Sequence, residues 1–152
     1  MRPAEDGHAS GHERGHALLP HTADVGIAAF GPTLGVALEE AAAALGELAA
    51  DLPARSRSPI VAEVRLDAPD HGALLVSWLN ELIGLIDVRR AALLDTSVEV
   101  ADPSIPSLRA RVRLVPFTAG ARPRVHVKSA TFHRLEAARD GAGWRLRAYL
   151  DV

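Results

Sequence analysis

The sequence predicts an α+β domain in which two helices pack on a mixed, largely antiparallel β-sheet. Three features carry that expectation. Apolar residues recur at helical spacing in two stretches, around 34–48 and 74–86. The last third of the chain changes to strict alternation. Proline- and glycine-containing turns separate the alternating segments. With 152 residues, 48% of them hydrophobic and 24% charged, the chain is the right size and composition for one domain with a real core. It contains no internal repeat.

Residues 1–15 are polar and aperiodic and are expected to form a disordered tail ahead of a domain spanning 16–152. His8, His12 and His16 recur every four residues, but Gly7, Gly11 and Gly15 oppose the helix that would align them. A solvated tail that catches transition metals adventitiously is the expectation there. Short strands at 17–19 and 25–30 flank a turn that starts at Pro20 and contains Thr22 and Asp24. Gly31-Pro32-Thr33 marks a helix start, with Thr33 as N-cap and Leu34, Leu38, Ala41, Leu45 and Leu48 on one side. The helix should stop before Pro53, leaving Asp51 at or just past its end. A strand at 60–66 puts Ile60, Ala62, Val64 and Leu66 on one face and Glu63 and Arg65 on the other. Asp70 caps a second helix whose wide apolar side, including Leu75, Trp78, Leu79, Leu82 and Ile86, implies deep burial. Strands are expected at 97–101, 108–115, 124–132 and 144–150.

Composition excludes several functions. Without cysteine there is no disulfide scaffold, thiol catalysis, zinc finger or iron–sulfur centre, so a metal must sit on oxygen or imidazole. A net charge of −2 gives no global attraction to nucleic acid or anionic lipid. The N-terminus lacks a signal-peptide pattern, and the apolar stretch at 74–88 is interrupted by Asn80, Glu81 and Asp87 and reads as too short to span a bilayer. A cytoplasmic protein that engages neither membrane nor DNA is expected.

Four places could carry chemistry. In His21-Thr22-Ala23-Asp24-Val25-Gly26 the aspartate either caps its own turn or presents a hard-metal ligand. At the other end, alternation runs to Leu150, so Asp151 and the carboxylate of Val152 are held close together. Their repulsion needs compensation from a cation or from arginines such as Arg145 or Arg147. Arg109, Arg111 and Arg113 alternate on one strand, Arg124 and Lys128 on a second, and Arg145 and Arg147 on a third. If those strands are neighbours, the cations gather on one face and contact phosphate; otherwise they form a solvated face neutralised by Glu63, Glu99 and Glu136. Aromatic residues make up 4% of the chain, too few for base-stacking platforms. Finally, His133 lies near His126, Lys128 and Ser129, yet no nucleophile elbow, phosphate-cradling loop or His-Glu-x-x-His accompanies it. No catalytic residue is assigned.

Five segments taken in order resemble the archease family. They are His21-Thr22-Ala23-Asp24-Val25-Gly26-Ile27 with Gly31-Pro32-Thr33-Leu34; the small helix positions Ala37, Ala41 and Ala42 with Asp51 beyond; Ser77-Trp78-Leu79-Asn80-Glu81-Leu82-Ile83 with Asp87-Val88; Val127-Lys128-Ser129-Ala130-Thr131-Phe132-His133; and Gly143-Trp144 with Leu150-Asp151-Val152. The resemblance implies a protein without its own catalytic site that activates an RtcB-type RNA ligase in tRNA splicing and RNA repair. It would promote guanylylation of the ligase and multiple turnover, meeting tRNA or other RNA only through the ligase. It also implies a divalent cation, calcium first and magnesium or manganese as alternatives, held by Asp24, Asp151 and Val152. Asp51, His21, Lys128 and His133 are the candidates for supporting those ligands or facing the partner. The competing reading is an RNA-binding or chaperone-like module that uses the arginine face. The chain departs from the family pattern at Gly35 and Val36, where acids are usual, at Ser129, and at Phe132, which lacks the usual tyrosine hydroxyl.

Overall fold

The computed structural model describes residues 13–20, 24–56 and 59–152. Strands β1 (Gly15–Pro20) and β2 (Asp24–Gly31) lead into helix α1 (Leu34–Ala49), followed by the two-residue strand β3 (Ala50–Asp51) and β4 (Ile60–Asp67). Helix α2 (His71–Arg89) precedes β5 (Ala91–Glu99), β6 (Ser107–Pro116), a single 3-10 turn at Phe117–Ala119, β7 (Arg122–Pro123), β8 (Ser129–Asp140) and β9 (Gly143–Asp151). The strands form a four-stranded sheet in the order β1-β2-β9-β8, a three-stranded sheet β4-β6-β5 and the small pair β3-β7. Every pairing among the described residues is antiparallel, so the strands fall into three antiparallel sheets rather than one mixed sheet.

Both helix starts follow from local chemistry. Thr33 Oγ1 accepts from the Val36 amide at 3.1 Å, and Asp70 Oδ1 accepts from the Ala73 amide at 2.7 Å, satisfying amides that have no partner within the helix. Helix α1 lies against β2 and along β5; α2 packs on β8 and touches β4 and β5. The core between them takes Ile27, Ala29, Leu146, Ala148 and Leu150 from the larger sheet and Val64, Leu108, Val112 and Leu114 from the smaller. Trp78, fully buried on α2, donates its indole N–H to the Leu38 carbonyl of α1 at 2.9 Å and ties the helices together.

Three expectations needed correction. The nineteen residues of α2, with a hydropathy of 1.2, are long and apolar enough by composition to cross a membrane. Within this fold, however, Leu74, Leu75, Trp78, Leu79 and Leu82 are spent in the core. Strand β5 begins at Ala91, not near 97. Ala91 and Leu93 face the main core while Ala92 joins a second small cluster with Ala50, Val115 and Ala121, and a strand buried on both faces shows no alternation. The segment at 124–128 is not strand: Val125 and Val127 do point inward, but onto the core rather than along a ladder. The ladder starts at Ser129 and runs on to Asp140, with a register shift between Thr131 and Glu136 and Arg134 at φ +53°.

The departure at Gly35 has a steric cause. A Cβ there would stand 2.9 Å from the Val98 carbonyl oxygen, too close for any other residue without a shift. One turn on, Glu39 accepts the Val98 amide at 2.9 Å. Helix α1 thereby covers the open edge of β5, which would otherwise offer unpaired backbone groups to another chain.

Candidate functional site

Asp24 opens β2 and Asp151 closes β9, and the register sets them directly opposite each other. Across β9 the next position in the row is Ser129. Side chains of directly opposed residues share a face, with Cβ atoms roughly 4.5–5.5 Å apart, and like charges so placed repel. One oxygen of Asp24, Oδ1, is screened from solvent, where the lower dielectric strengthens the repulsion. Asp151 and Val152 remain exposed. Two opposed side-chain carboxylates are oxygen donors of the kind hard divalent cations take. Among the described residues there is no cluster of three or more His, Asp or Glu side chains suited to a metal. His21, Thr22 and Ala23 lie outside the described residues.

The described ion pairs of the two β9 arginines are made with other carboxylates. Arg145 pairs with Glu136 at 3.5 Å and Asp140 at 3.8 Å. Arg147 reaches Glu136 at 4.0 Å and donates to the Arg134 carbonyl at 3.0 Å. Among the described residues no Lys, Arg or His forms an ion pair with Asp151.

The next row explains the glycine of the first motif. Gly26 opposes Tyr149, and a Cβ at Gly26 would stand 2.8 Å from the Tyr149 ring and 2.9 Å from Leu19 Cβ. The ring lies over the bare backbone, beside Thr131, whose hydroxyl donates to the Tyr149 carbonyl at 3.1 Å. His133, exposed on the β8 bulge, meets the same ring edge-on at 6.1 Å. The backbone amide of Lys128 donates to the Asp151 carbonyl at 2.8 Å. Thus Lys128 and His133 flank the carboxylate row. Asp51 belongs elsewhere, on β3 opposite Arg122 and 3.7 Å from Arg124.

The remaining candidates separate. Arg109, Arg111 and Arg113 lie on β6 of the three-stranded sheet, whereas Arg145 and Arg147 lie on β9 of the other. Arg111 is 3.2 Å from Glu63, Arg113 is paired with Asp95, and Arg109 stands opposite Glu99. The three arginine groups therefore do not gather on one sheet face. His126 is 3.7 Å from Asp87, and no hydrogen bond joins His126 or His133 to Ser129 among the described residues.

Sequence reasoning missed a cluster at the start of β1. His16 places Nδ1 2.7 Å from Glu40 and Nε2 against Glu47, while Arg14 pairs with Glu40 and, at 3.3 Å, with Glu39. An imidazole can donate to carboxylates from both nitrogens only when doubly protonated. Partial burial opposes the charged ring, but the hydrogen bonds to Glu40 and Glu47 outweigh it and raise the His16 pKa. Burial likewise opposes ionised Glu40, but His16 and Arg14 lower its pKa below the ordinary value. The stability from His16 is then fully present below about pH 6.5 and is lost as pH rises through its higher folded value. Replacing His16 with alanine is expected to flatten the fall in unfolding free energy as pH rises above about 6.5. Parallel urea titrations check this, and equal slopes in both proteins would rule it out.

Residues 16–152 match the Archease protein family (MTH1598/TM1083). The archease of Methanosarcina mazei is 30% identical over 143 residues, covering 90% of this chain and 95% of its own length. That of Pyrobaculum neutrophilum is 31% identical over 145 residues, covering 87% and 91%. Protein 1598 of Methanobacterium thermoautotrophicum superposes with a TM-score of 0.70 at 25% identity, covering 91% of this chain and 99% of that one. A Thermotoga maritima structure described as an archease and possible chaperone gives a TM-score of 0.62 at 20% identity, covering 88% and 94%, a likeness of fold.

Proposed function

Because the chain belongs to the archease family, we propose that it is a metal-binding activator of an RtcB-type RNA ligase, with no catalytic site of its own. It acts in the cytoplasm, in tRNA splicing or RNA repair. Asp24, Asp151 and the α-carboxylate of Val152 hold one divalent cation, calcium first and magnesium or manganese as alternatives. The observation that carries this reading is the cross-strand opposition of Asp24 and Asp151 with no ion-pair cation on Asp151 among the described residues. A bound cation supplies positive charge that offsets the repulsion and makes the sheet end one ordered surface. This chain's residues position it: Gly26 admits the Tyr149 ring, and Lys128 fixes the Asp151 peptide. Lys128 and His133 are the flanking groups that face the ligase. The ligase, not this chain, touches the RNA. The pairing of Arg111 and Arg113 with Glu63 and Asp95 weighs against a module that binds RNA through the arginine face.

Purified ligase, GTP, divalent metal and an RNA with joinable ends provide the test. Added in substoichiometric amounts, the chain is expected to speed guanylylation of the ligase and to turn a single round of joining into many. Alone it should convert neither RNA nor GTP. Conversion by the isolated chain that follows its chromatographic peak, or a ligase indifferent to its addition, would sink the reading.

A further inference from the structure

Asn80 lies on α2, in the exposed part of the helix that runs beside β8. Its side-chain oxygen accepts the Ala130 amide at 2.8 Å and its side-chain NH2 donates to the Ala130 carbonyl at 3.4 Å. Strand β8 is the edge of the four-stranded sheet. An amide that takes both backbone groups of one edge residue does what a further strand would do at that position. The site matters because β8 begins there. Residues 124–128 carry no ladder; Ser129 and Ala130 are the first to pair, with Asp151 and Leu150. Just before them, Lys128 holds the Asp151 carbonyl. The bulge from Thr131 to Glu136 interrupts the ladder on the other side. Three residues, 129–131, are thus all the regular pairing that β8 offers the end of β9 before the bulge, so support on the outer edge at Ala130 acts directly on this segment.

We propose that Asn80 is a positioning residue for the carboxylate row. By clamping Ala130 it fixes the start of β8, and through Ser129 and Lys128 it holds Asp151 opposite Asp24. The inference rests on the metal reading above for its functional consequence, but not for its structural content.

The test compares wild type, Asn80→Ala and, as a neighbour control, Glu81→Ala, all as the full chain. Alanine is the better helix former, so losses in Asn80→Ala cannot be laid to a weakened helix. Hydrogen exchange is followed without metal, and calcium chloride is then titrated by calorimetry. In Asn80→Ala the amides of both Ala130 and Lys128 should exchange about tenfold faster, as expected for losing one or two surface hydrogen bonds. Exchange in the middle of α1 should not change. Calcium affinity should fall about tenfold in Asn80→Ala and stay level in Glu81→Ala. Unchanged Lys128 exchange in Asn80→Ala overturns the proposal, as does an equal effect in Glu81→Ala, or unchanged calcium affinity where the wild type binds. If wild type binds no cation, the metal reading fails, and Lys128 exchange alone decides whether Asn80 positions the strand.

Discussion

Trp78→Ala is expected to lower the unfolding free energy by about 3–5 kcal/mol, the range for emptying a buried aromatic site. The indole has no exposed surface and sits where α2 crosses α1, among Leu74, Leu75, Leu79 and Leu82, which are equally buried. Deleting it leaves a cavity between two helices whose other contacts resist collapse. The lost hydrogen bond adds little, because its acceptor, the Leu38 carbonyl, lies within α1 and keeps its place in the helical ladder. Trp78→Phe tests that division: it removes the same donor but keeps most of the apolar volume, so its cost should stay near 1–2 kcal/mol. For a domain of this size, a loss of 3–5 kcal/mol corresponds to roughly 6–20 °C in Tm. Urea denaturation of both variants measures this, and equal destabilisation by the two would mean that the hydrogen bond, not the packing, joins the helices.

What the sequence made legible was local chemistry, and what it hid was adjacency. Thr33 and Asp70 cap their helices because a short polar side chain before an apolar repeat has one good use. Arg109, Arg111 and Arg113 do point away from the core formed by Leu108, Ala110, Val112 and Leu114. Yet nothing in their spacing tells which strand lies beside them. The chain order β1-β2-β9-β8 brings the last strand between the second and the eighth; this is why Arg145 finds Glu136 and Asp151 finds Asp24. The β5 start was obscured because burial on both faces erases alternation. The bulge at 132–135 was obscured because Phe132, 65% exposed, breaks the rule that large apolar residues point inward. Of the candidate site, the motif resemblance named Asp24 and Asp151 separately, and only the register sets them opposite each other. Asn80, His16, Glu40 and Glu47 were not, since each acts on a partner 24 or more residues away.

Asp24→Asn and Asp151→Asn are expected to abolish ligase activation and to remove most of the metal's effect on stability. Without metal, wild type carries two opposed carboxylates in one row, and replacing either with a neutral amide of the same shape removes that repulsion. Metal-free Asp151→Asn should therefore melt at or above the wild-type temperature. With calcium the order inverts. A ligand that binds only the folded state at a hundred times its Kd stabilises by about 2.7 kcal/mol, or roughly 5–11 °C for a domain of this size. Wild type should gain that shift, and each asparagine variant should gain little, having lost one anionic ligand. A chain extended by a few residues beyond Val152 should behave like the variants with metal and like wild type without it, because the extension removes the terminal carboxylate and leaves the opposed pair intact. Scanning calorimetry with and without calcium reads all four proteins. Thermal gains of equal size in wild type, both variants and the extended chain would place the cation elsewhere. A metal-free Tm well below wild type in Asp151→Asn would show instead that its carboxylate is stabilised by something other than a cation.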